Sequence, residues 1–157
     1  MSVKRKTYII SILIALAVGG LSAWISKDAM QTFDAVNKPP LSPPSWLFPV
    51  VWSVLYVLMG ISSAAVYLKA SENGSLKGSG LYVYAVSLVV NFFWSIIFFN
   101  LKMYLFAVIW LALLWVLVLM TIIKFARVVK RAGYLQIPYL IWCSFALYLS
   151  IGIYLMN

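Results

Sequence analysis

The sequence has no histidine, a single cysteine and only three acidic residues among its 157 residues. One cysteine cannot form a disulfide within the chain, and zinc, copper or haem-iron sites are built from cysteine and histidine ligands that are missing here. The three acids, Asp28, Asp34 and Glu72, all fall outside the long apolar runs. We therefore predict no metal site and no resident cofactor.

The shortage of ionisable groups in the apolar runs excludes further classes. Ion- and proton-coupled transporters usually hold the coupling charge on an ionisable side chain at membrane depth, and no run contains Asp, Glu or His. No internal repeat of the kind common in secondary transporters is evident. No acid–base pair and no Ser/His/Asp set points to hydrolysis. A driven transporter and a hydrolase are therefore disfavoured.

Apolar residues dominate what is present. They make up 65% of the chain and charged residues 10%, against roughly 45–50% and about 25% in soluble domains. A helix of about 20 apolar residues crosses a bilayer, and a lone apolar segment must satisfy its own backbone hydrogen bonds. We predict an all-α fold, a single integral membrane domain of five transmembrane helices. The five segments are Thr7–Ser26, Trp46–Leu68, Leu81–Phe99, Met103–Phe125 and Tyr134–Met156.

The net charge of +9 comes from basic residues between the apolar runs, which favours contact with lipid head groups over nucleic acid. Three basic residues, Lys27, Lys38 and Lys102, fall on one side of the membrane. The other nine fall on the opposite side: Lys4, Arg5, Lys6, Lys69, Lys77, Lys124, Arg127, Lys130 and Arg131. Positively charged loops prefer the cytoplasm, which predicts a cell-membrane protein with a cytoplasmic N-terminus and an external C-terminus.

Aromatic residues form 17% of the chain, and Trp52, Trp94 and Trp142 lie too deep to belong to an interfacial belt. On the second segment, Phe48, Trp52 and Tyr56 share one helix face. Asn91 is the only amide deep in a helix, and lipid would leave it unsatisfied, so we predict that it points inward. It then either bonds a neighbouring helix or contacts a ligand in an apolar cavity.

Two other features carry structural expectations. Ala15 and Gly19 in the first segment, with Gly60 in the second, predict close helix packing within the chain or in a homodimer. The connection 27–45 contains four prolines in the six residues Pro39–Pro44, which stiffen the backbone. This connection is either a lid over a cavity or a rigid linker.

Three motifs resemble those of the TspO/MBR (translocator protein) family. The first is KPPLSPPSW at Lys38–Trp46, continued by PVVWSVLY at Pro49–Tyr56. The second is NFFWSIIFF at Asn91–Phe99, and the third is PYLIWCSFA at Pro138–Ala146. They occur in the family's order and spacing and span most of the chain.

The resemblance implies a five-helix bundle, often a homodimer, whose pocket opens toward the first loop and binds porphyrins such as protoporphyrin IX or related flat apolar ligands. It implies a membrane receptor or carrier. The alternative is an enzyme that degrades porphyrin in light and oxygen with Trp52 and Trp142 as redox-active side chains. A structural or regulatory membrane partner is a third reading. The implied pocket residues are Phe33, Pro43, Phe48, Trp52, Tyr56, Asn91, Trp94, Trp142, Ala146 and Leu149.

This chain departs from the family pattern at several positions. Phe33 stands where relatives often have Tyr, Leu41 where they often have Trp, and Trp110 where many bacterial relatives carry Asp. The basic residue that a sterol-binding pattern needs after Tyr154 is absent, so sterol binding is not expected. Lys38 is the cation that we expect to face a ligand's carboxylates.

Overall fold

The computed structural model describes residues 2–28 and 34–157, and all regular secondary structure in these ranges is helical. A π-helical turn, Ile96–Asn100, continues the third of five long helices. Each of the five is long and apolar enough to cross a membrane. The predicted all-α, five-helix fold is confirmed, and the chain is a multi-pass membrane protein. The helices are α1 Val3–Ser26, α2 Leu47–Glu72, α3 Leu81–Ser95, α4 Tyr104–Val128 and α5 Lys130–Met156.

The helices extend beyond the apolar runs because their polar ends can continue into the head-group region. The N-terminus of α1 is capped by the Ser2 hydroxyl, which accepts a hydrogen bond from the Arg5 N–H (3.2 Å). Between α4 and α5 only Val129 is non-helical, so most of the connection between the predicted segments Met103–Phe125 and Tyr134–Met156 is helical. Gly133 lies inside α5, where an added Cβ would sit 2.6 Å from the Ala126 Cβ.

The five helices form a closed ring in the order α1, α2, α5, α4, α3. Helices that are consecutive in the chain run in opposite directions; for example, the Trp110 indole, near the start of α4, donates to the Val90 carbonyl, near the end of α3 (2.7 Å). The ring neighbours α1 and α3 are parallel, and the Ser22 hydroxyl near the end of α1 donates to the Phe92 carbonyl near the end of α3 (2.9 Å). This arrangement places the nine basic residues named above at one end of the bundle, called here the basic end. The connection between α1 and α2 lies at the other end, called here the loop end.

Helices α1 and α2 approach closely where their residues are small. A Cβ added to Gly60 would lie 2.4 Å from the Ile12 backbone Cα, and one added to Gly19 would lie 2.0 Å from the Tyr56 ring. Ala15 is fully buried in the same interface. The small residues therefore serve packing inside one chain.

We expect Gly60→Ala to lower the free energy of unfolding by about 1–3 kcal/mol, because the new methyl group meets backbone that cannot turn aside. Gly20 on the same helix pair has open space where its Cβ would be, so Gly20→Ala is the matched control and should be neutral or stabilising by up to about 1 kcal/mol. Thermal unfolding in detergent measures both. Equal effects of the two substitutions would contradict the close α1–α2 approach.

Candidate functional site

The side chain of Asn91 joins three helices in the middle of the bundle. Its Oδ1 accepts a hydrogen bond from the Tyr56 hydroxyl on α2 (2.8 Å), and its Nδ2 donates to the Tyr139 hydroxyl on α5 (2.6 Å). All three side chains are buried. The amide points inward, and both of its polar atoms already have protein partners.

Aromatic rings pack around this polar bridge. The Trp52 ring stacks on Tyr56 with ring centres 5.6 Å apart and meets Tyr139 edge-on at 6.0 Å. The centre of the Trp142 ring lies 6.5 Å from that of Trp52 and 5.8 Å from that of Phe48. Such offset and edge-on arrangements are the favoured geometries for aromatic pairs, so the cluster is well defined by its own packing.

A cavity of about 230 Å³ opens between α1, α2 and α3 at the loop end. Helix α1 contributes mostly small side chains to it, among them Gly19, Ser22 and Ala23. The opposite walls are aromatic: Phe48, Trp52, Tyr56, Trp94 and Phe99. Small residues on one side and flat rings on the other leave a slot suited to a planar apolar group.

The π-helical turn shapes one wall of this slot. Its defining bond runs from the Leu101 N–H to the Ile96 carbonyl (3.0 Å), which inserts one extra residue into the helix. Ile97, Phe98 and Phe99, which lie in this turn, are all buried. No residue type in the sequence signals this turn.

A second, very small void of about 20 Å³ lies beside the cavity and shares Phe48, Trp94 and Phe99 with it. The predicted site residues therefore separate into groups. Phe48, Trp52, Tyr56 and Trp94 line the larger cavity, and Ala146 and Leu149 line the smaller void with Phe48 and Trp94.

Three of the other predicted site residues line neither space. Asn91 and Trp142 lie behind the cavity wall, in contact with Tyr56 and with Trp52, respectively. Pro43 is half-buried in the first loop and lines neither space. Phe33 lies outside the described residues.

Three buried polar atoms near the cavity have no hydrogen-bond partner among the described residues. They are the Ser26 hydroxyl and the indole nitrogens of Trp94 and Trp142. Ser26 and Trp94 line the cavity itself. Unpaired donors in an apolar interior are costly, and a ligand with carbonyl or carboxylate oxygens would satisfy the two that line the cavity.

The cation at the cavity is Lys27 rather than Lys38. Lys27 lines the cavity, and its ammonium lies 5.5 Å from the centre of the Trp24 ring. Lys38 donates instead to the Asp34 and Val36 carbonyls of its own loop (3.3 and 3.4 Å). Lys27 directly follows the last residue of α1, and this position was the only feature of the sequence that indicated its place at the cavity.

The proline-rich half of the first loop is fixed to α5. Pro39 is buried against Gly152, where an added Cβ would lie 2.5 Å from the proline ring. The Tyr148 hydroxyl donates to the Pro40 carbonyl (2.6 Å) and the Asn157 amide to the Asn37 carbonyl (2.8 Å). We call this part of the loop, residues 36–42, the strap, because it is held against the C-terminal end of α5.

Comparison with known proteins matches residues 11–155 to the TspO/MBR family. The chain belongs to the TspO/MBR family. This confirms the resemblance on which the site residues were chosen.

The relatives that it resembles come from bacteria and animals. It is 36% identical over 152 residues to the tryptophan-rich protein TspO of Chlorobaculum tepidum, covering 96% of both chains. It is 41% identical over 125 residues to protein CrtK of Rhodobacter capsulatus, covering 80% of this chain and 78% of that one. It is 28% identical over 127 residues to the translocator protein of Ovis aries, covering 81% of this chain and 75% of that one.

We expect Gly152→Ala to loosen the strap, because its methyl group would occupy the space of the rigid Pro39 ring. Amide hydrogen exchange at Asn37, whose N–H donates to the Asn157 side chain (3.2 Å), should accelerate at least tenfold, which corresponds to a local loss of about 1.4 kcal/mol. Tyr148→Phe, which removes only the bond to Pro40, should give a smaller change in the same direction. Tyr154→Phe on the same helix end is the control. Unchanged exchange in Gly152→Ala would show that the loop does not depend on this contact.

Proposed function

We propose that this TspO/MBR family member is a membrane receptor or carrier that binds porphyrins, protoporphyrin IX in particular, in the aromatic cavity at the loop end. The observation that carries the proposal is the slot itself. Rings of Phe48, Trp52 and Trp94 face small residues of α1 across an apolar space. A flat π-system gains both buried apolar area and ring contacts in such a site.

The polar groups at the site fit the periphery of a porphyrin. Protoporphyrin IX carries two propionates, and Lys27 supplies a cation at the cavity. The unpartnered Ser26 hydroxyl and Trp94 indole supply donors for carboxylate oxygens. An unsubstituted hydrocarbon of the same shape would leave the two buried donors without an acceptor.

The size of the cavity sets a condition on this proposal. Small-molecule pockets typically measure about 300–1,000 Å³, more than the 230 Å³ found here. The Phe48 ring lines both the cavity and the smaller void toward Ala146 and Leu149. Even together the two spaces fall below this range, so a macrocycle needs the side chains around them to move.

Porphyrin degradation would use the same cavity. Trp52 faces the cavity, but Trp142 lies behind Phe48 and Trp52, so the two indoles do not form opposite walls around a ligand. This geometry favours binding over a reaction shared by both tryptophans. The family names of the relatives, "tryptophan-rich sensory protein" and "translocator protein", accord with sensing or carriage.

The homodimer and the orientation of the chain in the membrane are also proposals. A homodimer would have to use surfaces other than the packed faces of Gly19 and Gly60, because these are filled by Tyr56 and Ile12. The cytoplasmic N-terminus rests on the unequal charge of the two ends, since basic residues concentrate at the end that carries the α1 N-terminus.

The proposal is tested by a dark titration of detergent-solubilised protein with protoporphyrin IX, followed by the porphyrin absorbance and fluorescence shift. We expect saturable binding that Ala23→Leu weakens at least tenfold, because the added carbons occupy the slot. Gly20→Leu, on the side of α1 with open space, is the matched control. Lys27→Gln should weaken protoporphyrin IX several-fold but leave its dimethyl ester unchanged, and Lys102→Gln at the same end should affect neither.

Two outcomes would contradict the proposal: binding that does not saturate, or equal losses in Ala23→Leu and Gly20→Leu. Illumination after the titration then tests the enzyme reading. If the wild type loses porphyrin absorbance in light and Trp52→Phe does not, the protein degrades porphyrin. If the spectrum of the wild type does not change in light, the protein is a receptor or carrier.

A further inference from the structure

A second cavity, of about 340 Å³, lies at the basic end between α1, α2 and α3. Six of the residues that form it are Thr7, Ile10, Ser11 and Ile14 of α1, Ser63 of α2 and Tyr84 of α3. It shares no residue with the aromatic cavity. Its volume falls within the range of about 300–1,000 Å³ that small-molecule sites occupy. We call it the basic-end crevice.

The lining of the crevice is amphipathic along its length. The residues Thr7, Ser11 and Ile14 follow one another on one face of α1, because three- and four-residue steps return to the same side of a helix. The polar members lie nearer the start of α1, and Ile14 lies deeper in the bundle. A ligand that fits this order has a polar end toward the membrane surface and an apolar end toward the bilayer core.

A buried donor in the crevice wall lacks an acceptor. The Tyr84 side chain is 7% exposed, and its hydroxyl lies beside the Ser63 hydroxyl but makes no hydrogen bond of regular geometry in residues 2–28 and 34–157. The neighbouring Ser63 hydroxyl donates instead to the Gly60 carbonyl (3.1 Å). An unpaired hydroxyl is unfavourable in an apolar interior, and an ester carbonyl placed in the crevice would satisfy it.

The charge around the crevice is positive. Lys4 lies one turn before Thr7 on the crevice face of α1 and is exposed. Nine of the twelve basic residues lie at this end. Glu72, the acidic residue at this end, is paired with Lys69 (3.8 Å). A head group with a phosphate or another anion is therefore favoured over a neutral or cationic one.

We propose that the basic-end crevice binds one anionic phospholipid. An acyl chain lies along Ile10 and Ile14, an ester carbonyl accepts a hydrogen bond from the Tyr84 hydroxyl, and the phosphate faces Lys4. The site is separate from the porphyrin cavity and holds a lipid as a structural partner of the α1–α3 contact.

The test is native mass spectrometry of the full chain released from detergent, after addition of phosphatidylglycerol or of phosphatidylcholine with the same acyl chains. We expect one phosphatidylglycerol per chain, retained at least fivefold more than phosphatidylcholine. Tyr84→Phe should lose most of this retention, because it removes the hydroxyl and leaves the ring on Phe125 (ring centres 5.7 Å apart). Ser11→Phe should lose it by filling the crevice, and Lys4→Gln should reduce the preference for the anionic lipid.

The matched controls are Tyr82→Phe, an exposed tyrosine two residues away, and Lys102→Gln at the loop end. Neither should change lipid retention. Equal retention of the two lipids, or retention unchanged in both Tyr84→Phe and Ser11→Phe, would overturn the proposal and assign the lipid to the general membrane surface.

Thermal unfolding separates a lost ligand from a damaged fold. Without added lipid, Tyr84→Phe should melt at the wild-type temperature or above it, because the hydroxyl that it removes has no partner. With phosphatidylglycerol, the wild type should gain melting temperature and the variant should gain less than half as much. A lower melting temperature of Tyr84→Phe without lipid would show that the hydroxyl already has a partner, which contradicts the proposal. Protoporphyrin IX binding should be unchanged in Tyr84→Phe.

Discussion

An amide deep in a bilayer has no water to bond, and the position of Asn91 in α3 determines much of the arrangement around it. Its two hydrogen bonds, to Tyr56 and Tyr139, tie α3 to α2 and α5. Tyr56 in turn lies directly on Gly19 of α1 and carries the stacked ring of Trp52. Four of the five helices are thus linked through the Asn91 side chain and its partners. The Tyr56 ring also forms part of the wall of the aromatic cavity.

The hydrogen bonds of Asn91 also explain why a small residue of α1 lies opposite a large residue of α2. The Tyr56 ring can reach Asn91 only if α1 offers no side chain in its path, and Gly19 meets that condition. With the ring held there, the small residues of the next α1 turns face Trp52 and Trp94 across an open slot. The cavity is therefore a product of helix packing around a satisfied polar group.

The sequence predicted the class of fold because the bilayer allows few alternatives to a bundle of apolar helices. It also predicted that Asn91 points inward, since the cost of an unpaired amide in lipid does not depend on the neighbours. It could not supply the partners Tyr56 and Tyr139, because a hydrogen bond between helices depends on their rotation and depth. The π-helical turn Ile96–Asn100 left no trace in residue type.

Charged and proline-rich segments were harder to place from sequence than the apolar ones. Lys27 and Lys38 both stand at the loop end, and only the contacts distinguish the one at the cavity from the one that bonds its own loop. The prolines indicated a stiff segment, but its attachment to Gly152 and Tyr148 depends on residues more than 100 positions away.

A double-mutant cycle of Asn91→Ala and Tyr56→Phe, read by thermal unfolding in detergent, tests the central claim most directly. If Asn91 holds the helices together through Tyr56, the two effects on unfolding free energy should be non-additive by about 0.6–1.7 kcal/mol, which lies between the average and the maximum measured for hydrogen bonds between membrane helices. Additive effects would contradict the account, because they would mean that the Asn91–Tyr56 bond contributes nothing to the stability of the bundle.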